Sequence, residues 1–306
     1  MQYKNNIEKK PKTLLVDANF LMFQSFYATY RGDIDDVLRT KDNIPTNAIS
    51  VFCSQLVKLL NEFTPDAIVF AFDSATKTKR HEVFQDYKGQ RPKSPNELFI
   101  QFDYIKKLLT LLNLKYFEIP GDEADDIIAT CAKILPGQKI IFSNDKDLLQ
   151  LVNEDVYVVQ KKPTGYFLNK LSIFYEHYEI WPNQIPDFKG LKGDPSDNLP
   201  GVKGIGDKTA IALLQQYQTF ENIYNNIDEI QNNKKNWAKK LLEGYQEGLL
   251  CYKLAILNND VQGISNNLND FLISNITFEQ GIPLIQKLEL NVFSKALKTY
   301  LDNRKL

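Results

Sequence analysis

The sequence predicts an α/β fold: a mostly parallel central sheet flanked by helices, with a helical region after it. Three observations lead there. Short apolar runs at Lys12–Asn19, Ala67–Asp73 and Lys139–Asn144 alternate with stretches of helical spacing, the pattern of strand–helix–strand units. Each run carries an aspartate at or just beyond its C-terminal end, namely Asp17, Asp73 and Asp145. From about residue 181 the remaining segments read as helical. The expected division is therefore residues 1–180 for the α/β part and 181–306 for the helical part.

Taken in order, KTLLVDAN (Lys12–Asn19) reads as a buried strand ending in a carboxylate, and the aromatic-rich Phe20–Tyr30 as a helix. Pro45–Phe63 has the i, i+3, i+4 spacing of a helix through Ile49, Phe52, Leu56, Leu59 and Leu60. Ala67–Asp73 is a second buried strand. Asn96–Leu112 reads as a helix, Lys115–Ile119 as a short strand, and Asp122–Leu135 as a helix with an acid-rich first turn. KIIFSN (Lys139–Asn144) is another strand, followed by a helical LLQLV, and Val156–Gln160 adds one more. Beyond Tyr217, Glu221–Trp237, Leu249–Leu257 and Phe278–Leu301 are expected to form helices packed beside the segment that precedes them.

The chain has 306 residues, 43% hydrophobic and 25% charged, enough for a large core. No apolar run is long enough to span a bilayer, and the N-terminal MQYKNNIEKKPK lacks the apolar core of a signal peptide, so a cytoplasmic protein with no membrane association is expected. Cys53, Cys131 and Cys251 are far apart and read as buried thiols, not as disulfides or a zinc site. With only His81 and His177, histidine-based metal chemistry is not expected. The net charge of −1 does not by itself point to nucleic acid.

The chemistry-bearing residues are acids. Asp17, Asp73, Glu123, Asp125, Asp126, Asp145, Asp147, Asp194 and Asp197 fall at predicted strand ends, helix starts or a turn. In a parallel sheet, ligands bind beyond the carboxyl ends of the strands. Singly, each acid has a structural explanation, as a helix cap or a partner of the helix dipole. Together, nine carboxylates at one sheet edge would repel one another unless cations neutralised them, and hard divalent cations such as Mg²⁺ or Mn²⁺ take carboxylate oxygens. Two such ions activate a water and stabilise the leaving oxygen of a phosphodiester.

Two further stretches fit a nucleic-acid substrate. In Ser74–Pro95, Lys77, Arg80, Phe84, Tyr87, Lys88 and Arg91 would share one side of a helix, cations interleaved with aromatics as a single strand requires. The bland reading is a solvated surface helix. In GDPSDNLPGVKGIGDKTA (Gly193–Ala210), Gly201, Gly204 and Gly206 let backbone N–H groups approach a phosphate, and the helix after them points its positive end at it. Lys203 and Lys208 add charge. This is the pattern of a helix-hairpin-helix, which grips the backbone without reading bases; the bland alternative is a Gly-rich loop.

LLVDAN, Ala71-Phe72-Asp73, RHEVFQDYKGQRP, GDEADDIIA, NDKDLLQLV and GDPSDNLPGVKGIGDKTA, in this order, resemble the 5′-nuclease domain of bacterial DNA polymerase I, related to flap endonucleases and phage 5′-exonucleases. The match covers roughly Lys12–Tyr217 and implies a PIN-like nuclease fold with a helical arch at about 74–95 and a helix-hairpin-helix at about 193–217. With no polymerase module after Leu306, a free-standing 5′-3′ exonuclease and flap endonuclease is expected, acting in primer and flap removal during replication and repair. The resemblance implies one metal centre from Asp17, Asp73, Glu123 and Asp125 and a second from Asp145, Asp147 and Asp197, with Asp126 and Asp194 as further acids acting through water. It implies that Lys88 steers the scissile phosphate, that Arg80, Tyr87 and Arg91 line the arch, and that the hairpin holds duplex DNA with a monovalent ion, K⁺, in its loop. The implied partner is DNA with a 5′ flap, nick or free 5′ end, RNA–DNA primers included, bound by a monomeric, nucleoid-associated enzyme. Gln24 stands where many members carry arginine, and glutamine cannot make the bidentate charged contact with phosphate. The alternatives are a branched-DNA-binding protein without turnover and a ribonuclease of related fold.

Overall fold

The computed structural model describes residues 10–304; the polar N-terminal stretch lies outside them up to residue 9. In chain order the elements are β1 (Lys12–Asp17), α1 (Ala18–Tyr27), α2 (Asn47–Phe63), β2 (Ala67–Phe72), α3 (Lys79–Val83), α4 (Asn96–Leu111), β3 (Tyr116–Glu118), α5 (Ala124–Ile134), β4 (Gln138–Phe142), β5 (Val156–Lys162) and β6 (Gly165–Asn169). After them come α6 (Leu171–Tyr178), α7 (Ile185–Lys192), α8 (Asp207–Tyr217), α9 (Phe220–Asn225), α10 (Ile227–Asn233), α11 (Lys235–Glu243), α12 (Tyr245–Ala255), α13 (Phe278–Lys287) and α14 (Asn291–Arg304). No helix among the described residues is long and apolar enough to cross a membrane.

The six strands form one sheet in the order β3-β2-β1-β4-β5-β6, parallel except for β6. Leu15 of β1 faces Val69 on one side and Ile141 on the other. Both faces are buried, and alternation along each strand divides the core. Leu14, Val16, Ile68, Phe70, Phe72, Ile140 and Phe142 join one apolar cluster, and Leu15, Val69, Ala71 and Ile141 join the other. In α2, Ile49, Phe52, Leu56, Leu59 and Leu60 recur at helical spacing and are buried against the first face. The winding of the sheet reverses between β1 and β4, and there the carboxyl ends of neighbouring strands leave a crevice.

Four sequence expectations need correction. The LLQLV segment is a 3₁₀ turn, Asp147–Leu151, not an α-helix. A β5–β6 hairpin, turned at residues 163–164 with Gly165 at φ +128° starting the second strand, adds an antiparallel edge strand absent from the sequence expectation. Phe278–Leu301 does not pack beside the hairpin motif. It forms α13 and α14, which return to the α/β half and cover α4 and α2 with Ile285, Leu288, Phe293, Leu297 and Tyr300. This fits the close approach at Gly281, where a Cβ would lie 2.6 Å from Leu112 Cδ2. Finally, Ser74–Pro95 is not a continuous helix. Only α3, Lys79–Val83, is helical; a tight turn with Lys88 at φ +56° follows, and Pro92 and Pro95 keep the rest extended.

Candidate active site

β1 ends at Asp17, whose Oδ1 caps α1 through the Phe20 N–H (2.8 Å) and whose Oδ2 accepts from Ser143 Oγ (2.7 Å). Asp73, just beyond β2, accepts from the Ala124 N–H at the start of α5 (2.8 Å) and from Asn19 Nδ2 (3.0 Å). Asp145, beyond β4, accepts the Asp147 N–H (2.8 Å). Hydrogen bonds that span the sheet edge thus fix Asp17 and Asp73 in place, and a local turn holds Asp145. Together with Asp125 from the first turn of α5, Asp17, Asp73 and Asp145 line one cavity of about 620 Å³. Lys88 and Arg91 stand on its rim, and Phe20, Phe23, Tyr27 and Phe99 form an aromatic wall.

The electrostatics of this group are those of anions short of counter-charge. Burial, reinforced by Asp73 and Asp145, pushes the Asp17 carboxyl up to about 7. Burial also raises Asp73, and burial together with Asp145 and Asp17 raises Asp125 well above the ordinary carboxylate range. These are hard oxygen donors that repel one another, a set that fits a divalent cation.

The other predicted acids are held by cationic side chains beside this cavity, near enough that Glu123 acts on Asp73 and Asp145 on Asp147. Among the described residues no three acidic side chains are gathered closely enough to hold an ion as they stand. Glu123 accepts from Lys88 Nζ (3.0 Å), lies 3.2 Å from Arg80 and takes the Thr78 hydroxyl (3.1 Å). Burial works against its charge, but Lys88 and Arg80 prevail and lower its pKa. Asp126 is bound in fork geometry by Arg80 (2.7 and 2.8 Å) and accepts the N–H groups of Glu123 (3.2 Å) and Asn258 (2.8 Å). With its oxygens committed in this way Asp126 does not fit as a metal ligand. Asp197 takes Arg91 Nη2 (2.8 Å) and the Tyr87 hydroxyl (3.4 Å).

The same contacts revise the expected arch. Arg80 does not line an opening. Its Nε donates to the Leu254 carbonyl (2.9 Å), and burial of its charge is outweighed by Asp126 and Glu123. Tyr87 is buried, with its pKa raised by burial and by Glu123 and Asp197, so it serves as a neutral donor. Phe84 packs against the Tyr87, Leu199, Cys251 and Leu254 cluster instead of presenting a face for stacking. Lys77 is exposed. Lys88 keeps its charge because Glu123, Asp73 and Asp197 together outweigh its burial.

Lys189 of α7, which sequence reasoning missed, is buried in ion pairs with Asp147 and with Asp194 Oδ2 (2.5 Å). Burial opposes its charge, and the two acids more than restore it; in return Lys189 helps hold Asp194 down to about 2 against its own burial. The one available signal was its place a turn beyond buried Ile185, where helical spacing calls for an apolar residue. Asn19 and Ser143, the orienting partners of Asp73 and Asp17, stand in LLVDAN and KIIFSN, where nothing in the spacing marks that role. Gln24 Oε1 is buried with no hydrogen-bond partner. All three cysteines are free and buried, as expected.

The glycine-rich stretch joins α7 to α8, giving helix, hairpin and helix. Gly201 (φ +63°) and Gly204 (φ +83°) are left-handed, the Val202 N–H donates to Leu191 (2.9 Å), and Gly206 caps α8 with open space around it. Lys203 and Lys208 are exposed beside it, and Lys240 of α11 donates to the Gly204 carbonyl (2.9 Å).

Comparison with known proteins agrees with this architecture. Residues 12–178 match the family model described as the 5′-3′ exonuclease N-terminal resolvase-like domain, and residues 180–279 match the 5′-3′ exonuclease C-terminal SAM fold. The chain is 37% identical to the 5′-3′ exonuclease of Aquifex aeolicus, covering 93% of this chain and 94% of that protein. It is 35% identical to the DNA polymerase I of Bacillus subtilis over 94% of this chain, but spans only 32% of that longer protein. Among solved structures, a phage T5 5′-exonuclease with bound zinc ions superposes with a TM-score of 0.64 at 21% identity, covering 95% of this chain and 98% of that one. The catalytic core of Rad2 with a DNA substrate gives 0.62 at 16%, covering 95% and 92%. These last two are likenesses of fold.

Proposed function

The chain belongs to the 5′-3′ exonuclease family, a family of nucleases, and on that premise we propose that it hydrolyses DNA phosphodiesters with divalent metal, working from free 5′ ends, nicks and 5′ flaps. The observation that carries this reading is the cavity into which Asp17, Asp73, Asp125 and Asp145 converge, with Lys88 and Arg91 at its rim. Those four carboxylates would draw closer than they stand here to hold the divalent cation, Mg²⁺ or Mn²⁺, with Glu123, Asp147 and Asp197 at the margin. Such a cation supplies the positive charge that activates water and stabilises a departing oxygen.

The chain's own groups do the rest. Asn19 and Ser143 keep Asp73 and Asp17 aimed at the cavity. Lys88 and Arg91 attract and orient a phosphate opposite the acids, and the Tyr87 hydroxyl donates a neutral hydrogen bond where a charge would be costly. The aromatic wall excludes water beside the reacting bond and gives an unpaired base a surface to stack on. The hairpin between α7 and α8 grips the duplex through its N–H groups, Lys203 and Lys208, and its loop is where the resemblance would put K⁺. Removal of primers and flaps during replication and repair is the corresponding role.

The test is cleavage of a 5′-flap duplex in Mg²⁺. Asp145→Ala is expected to slow turnover by at least about a hundredfold. Equal rates for the two proteins would end the proposal.

A further inference from the structure

Lys189 is a buried cation for which the reaction above has no use. Its side chain is 8% exposed, and its Nζ lies between Asp147, from the turn after β4, and Asp194, from the loop after α7. Burying an ammonium is unfavourable unless it is paired, and the apolar residue that helical spacing calls for here would fill the place without that cost. The charge therefore answers to the two acids. The two groups of acids differ in their ion pairs: among the described residues no lysine or arginine pairs with Asp17, Asp73 or Asp125, whereas Asp147 and Asp194 share the Lys189 ammonium.

We propose that Lys189 is the built-in counter-ion of the Asp147–Asp194 pair, so that a divalent cation at this end of the site binds only by displacing its ammonium. Ammonium and divalent ion compete for the same carboxylate oxygens and repel each other at that range. The consequence is an ordered site: the Asp17–Asp73–Asp125–Asp145 end fills first, and the Lys189 end fills weakly, at high metal concentration. Lys189 is then a positioning residue that sets metal occupancy without touching the substrate. The inference rests on the metal-dependent reading above.

Isothermal titration of the full chain with Mn²⁺ tests it without reference to activity. Wild type is expected to show a tighter and a weaker class of site. Lys189→Met should tighten the weaker class by at least about tenfold, because the competing charge is gone, and Lys189→Arg should leave it weak. Affinity in Lys189→Met equal to or below that of wild type would overturn the inference and leave Lys189 as a brace for the acids. Should the Met variant fail to fold, wild type alone decides through acetylation rates read by mass spectrometry. Lys189 should react far more slowly than Lys203 in EDTA and speed up when Mn²⁺ is added; an unchanged rate would overturn the inference. If Mn²⁺ binds neither protein, the metal-dependent reading fails as well. If it binds both alike, only the role of Lys189 does.

Discussion

Asp126 looks, in the sequence, like its neighbours Glu123 and Asp125: three acids in the first turn of one helix. Its surroundings set it apart. Arg80 holds it in a fork, two backbone N–H groups complete its shell, and Arg80 in turn ties the Leu254 carbonyl to the start of the arch segment. Asp126 is thus a structural anion, and its removal leaves a buried guanidinium without its main partner. Asp126→Ala should cost about 3–5 kcal/mol of stability, the usual penalty for breaking a buried pair, measured by urea denaturation. Its Mn²⁺ affinity by calorimetry should stay at the wild-type value. A stable variant with weakened Mn²⁺ binding would return Asp126 to the metal ligands. The difference between Asp126 and Asp125 was not legible in GDEADDIIA, since Asn258 and Leu254, which decide it, lie more than half of the chain beyond Arg80.

Among elements, the strands were the most readable, because a run buried on both faces, such as AIVFAF, has few other places to go. Their terminal aspartates were readable for the same reason, as the topology puts parallel strand ends on one edge. The arch was misread because spacing alone placed Arg80, Lys88 and Arg91 on one helical face. In the fold their ion pairs with Asp126, Glu123 and Asp197, together with Pro92 and Pro95, draw the segment down onto the acids. The hairpin between α7 and α8 was legible from its glycines, yet these do different work. A Cβ on Gly201 would lie 2.2 Å from the Gly193 nitrogen, whereas one on Gly206 would meet nothing within 4 Å. Gly201→Ala should therefore destabilise the protein by about 2 kcal/mol through strain at a positive φ, seen as a lower melting temperature. Gly206→Ala should leave the melting temperature unchanged and weaken duplex affinity by about tenfold in fluorescence anisotropy, because its methyl would occupy the space a phosphate needs at the start of α8. Unaltered affinity in Gly206→Ala would remove this helix start from the DNA interface.

At the scale of the whole molecule, the site is a store of unfavourable charge that, on the metal-dependent reading proposed above, a bound cation would relieve. Asp17, Asp73 and Asp125 bind protons more tightly in the folded protein than in the unfolded chain. In metal-free protein their contribution to stability is therefore greatest below about pH 4, where these carboxyls are protonated in both states, and it falls as the pH rises towards 7, where the folded site must hold bare anions. Glu123 and Asp194, whose pKa values are lowered, act in the opposite sense, but their effect is complete by about pH 5. Between about pH 5 and pH 7.5 Asp17, Asp73 and Asp125, joined by Asp147, which burial likewise raises to about 7, act in one direction, so the melting temperature in EDTA should decline across that interval. A divalent cation binds the ionised form and competes with the proton, so saturating Mn²⁺ should raise the melting temperature by several degrees at pH 7.5 and by much less at pH 5. Differential scanning calorimetry at the two pH values, with and without metal, reads this directly. An equal rise at both would mean that the cation binds somewhere other than these carboxylates, because only a site whose protons and metal ions share the same oxygens links the two equilibria.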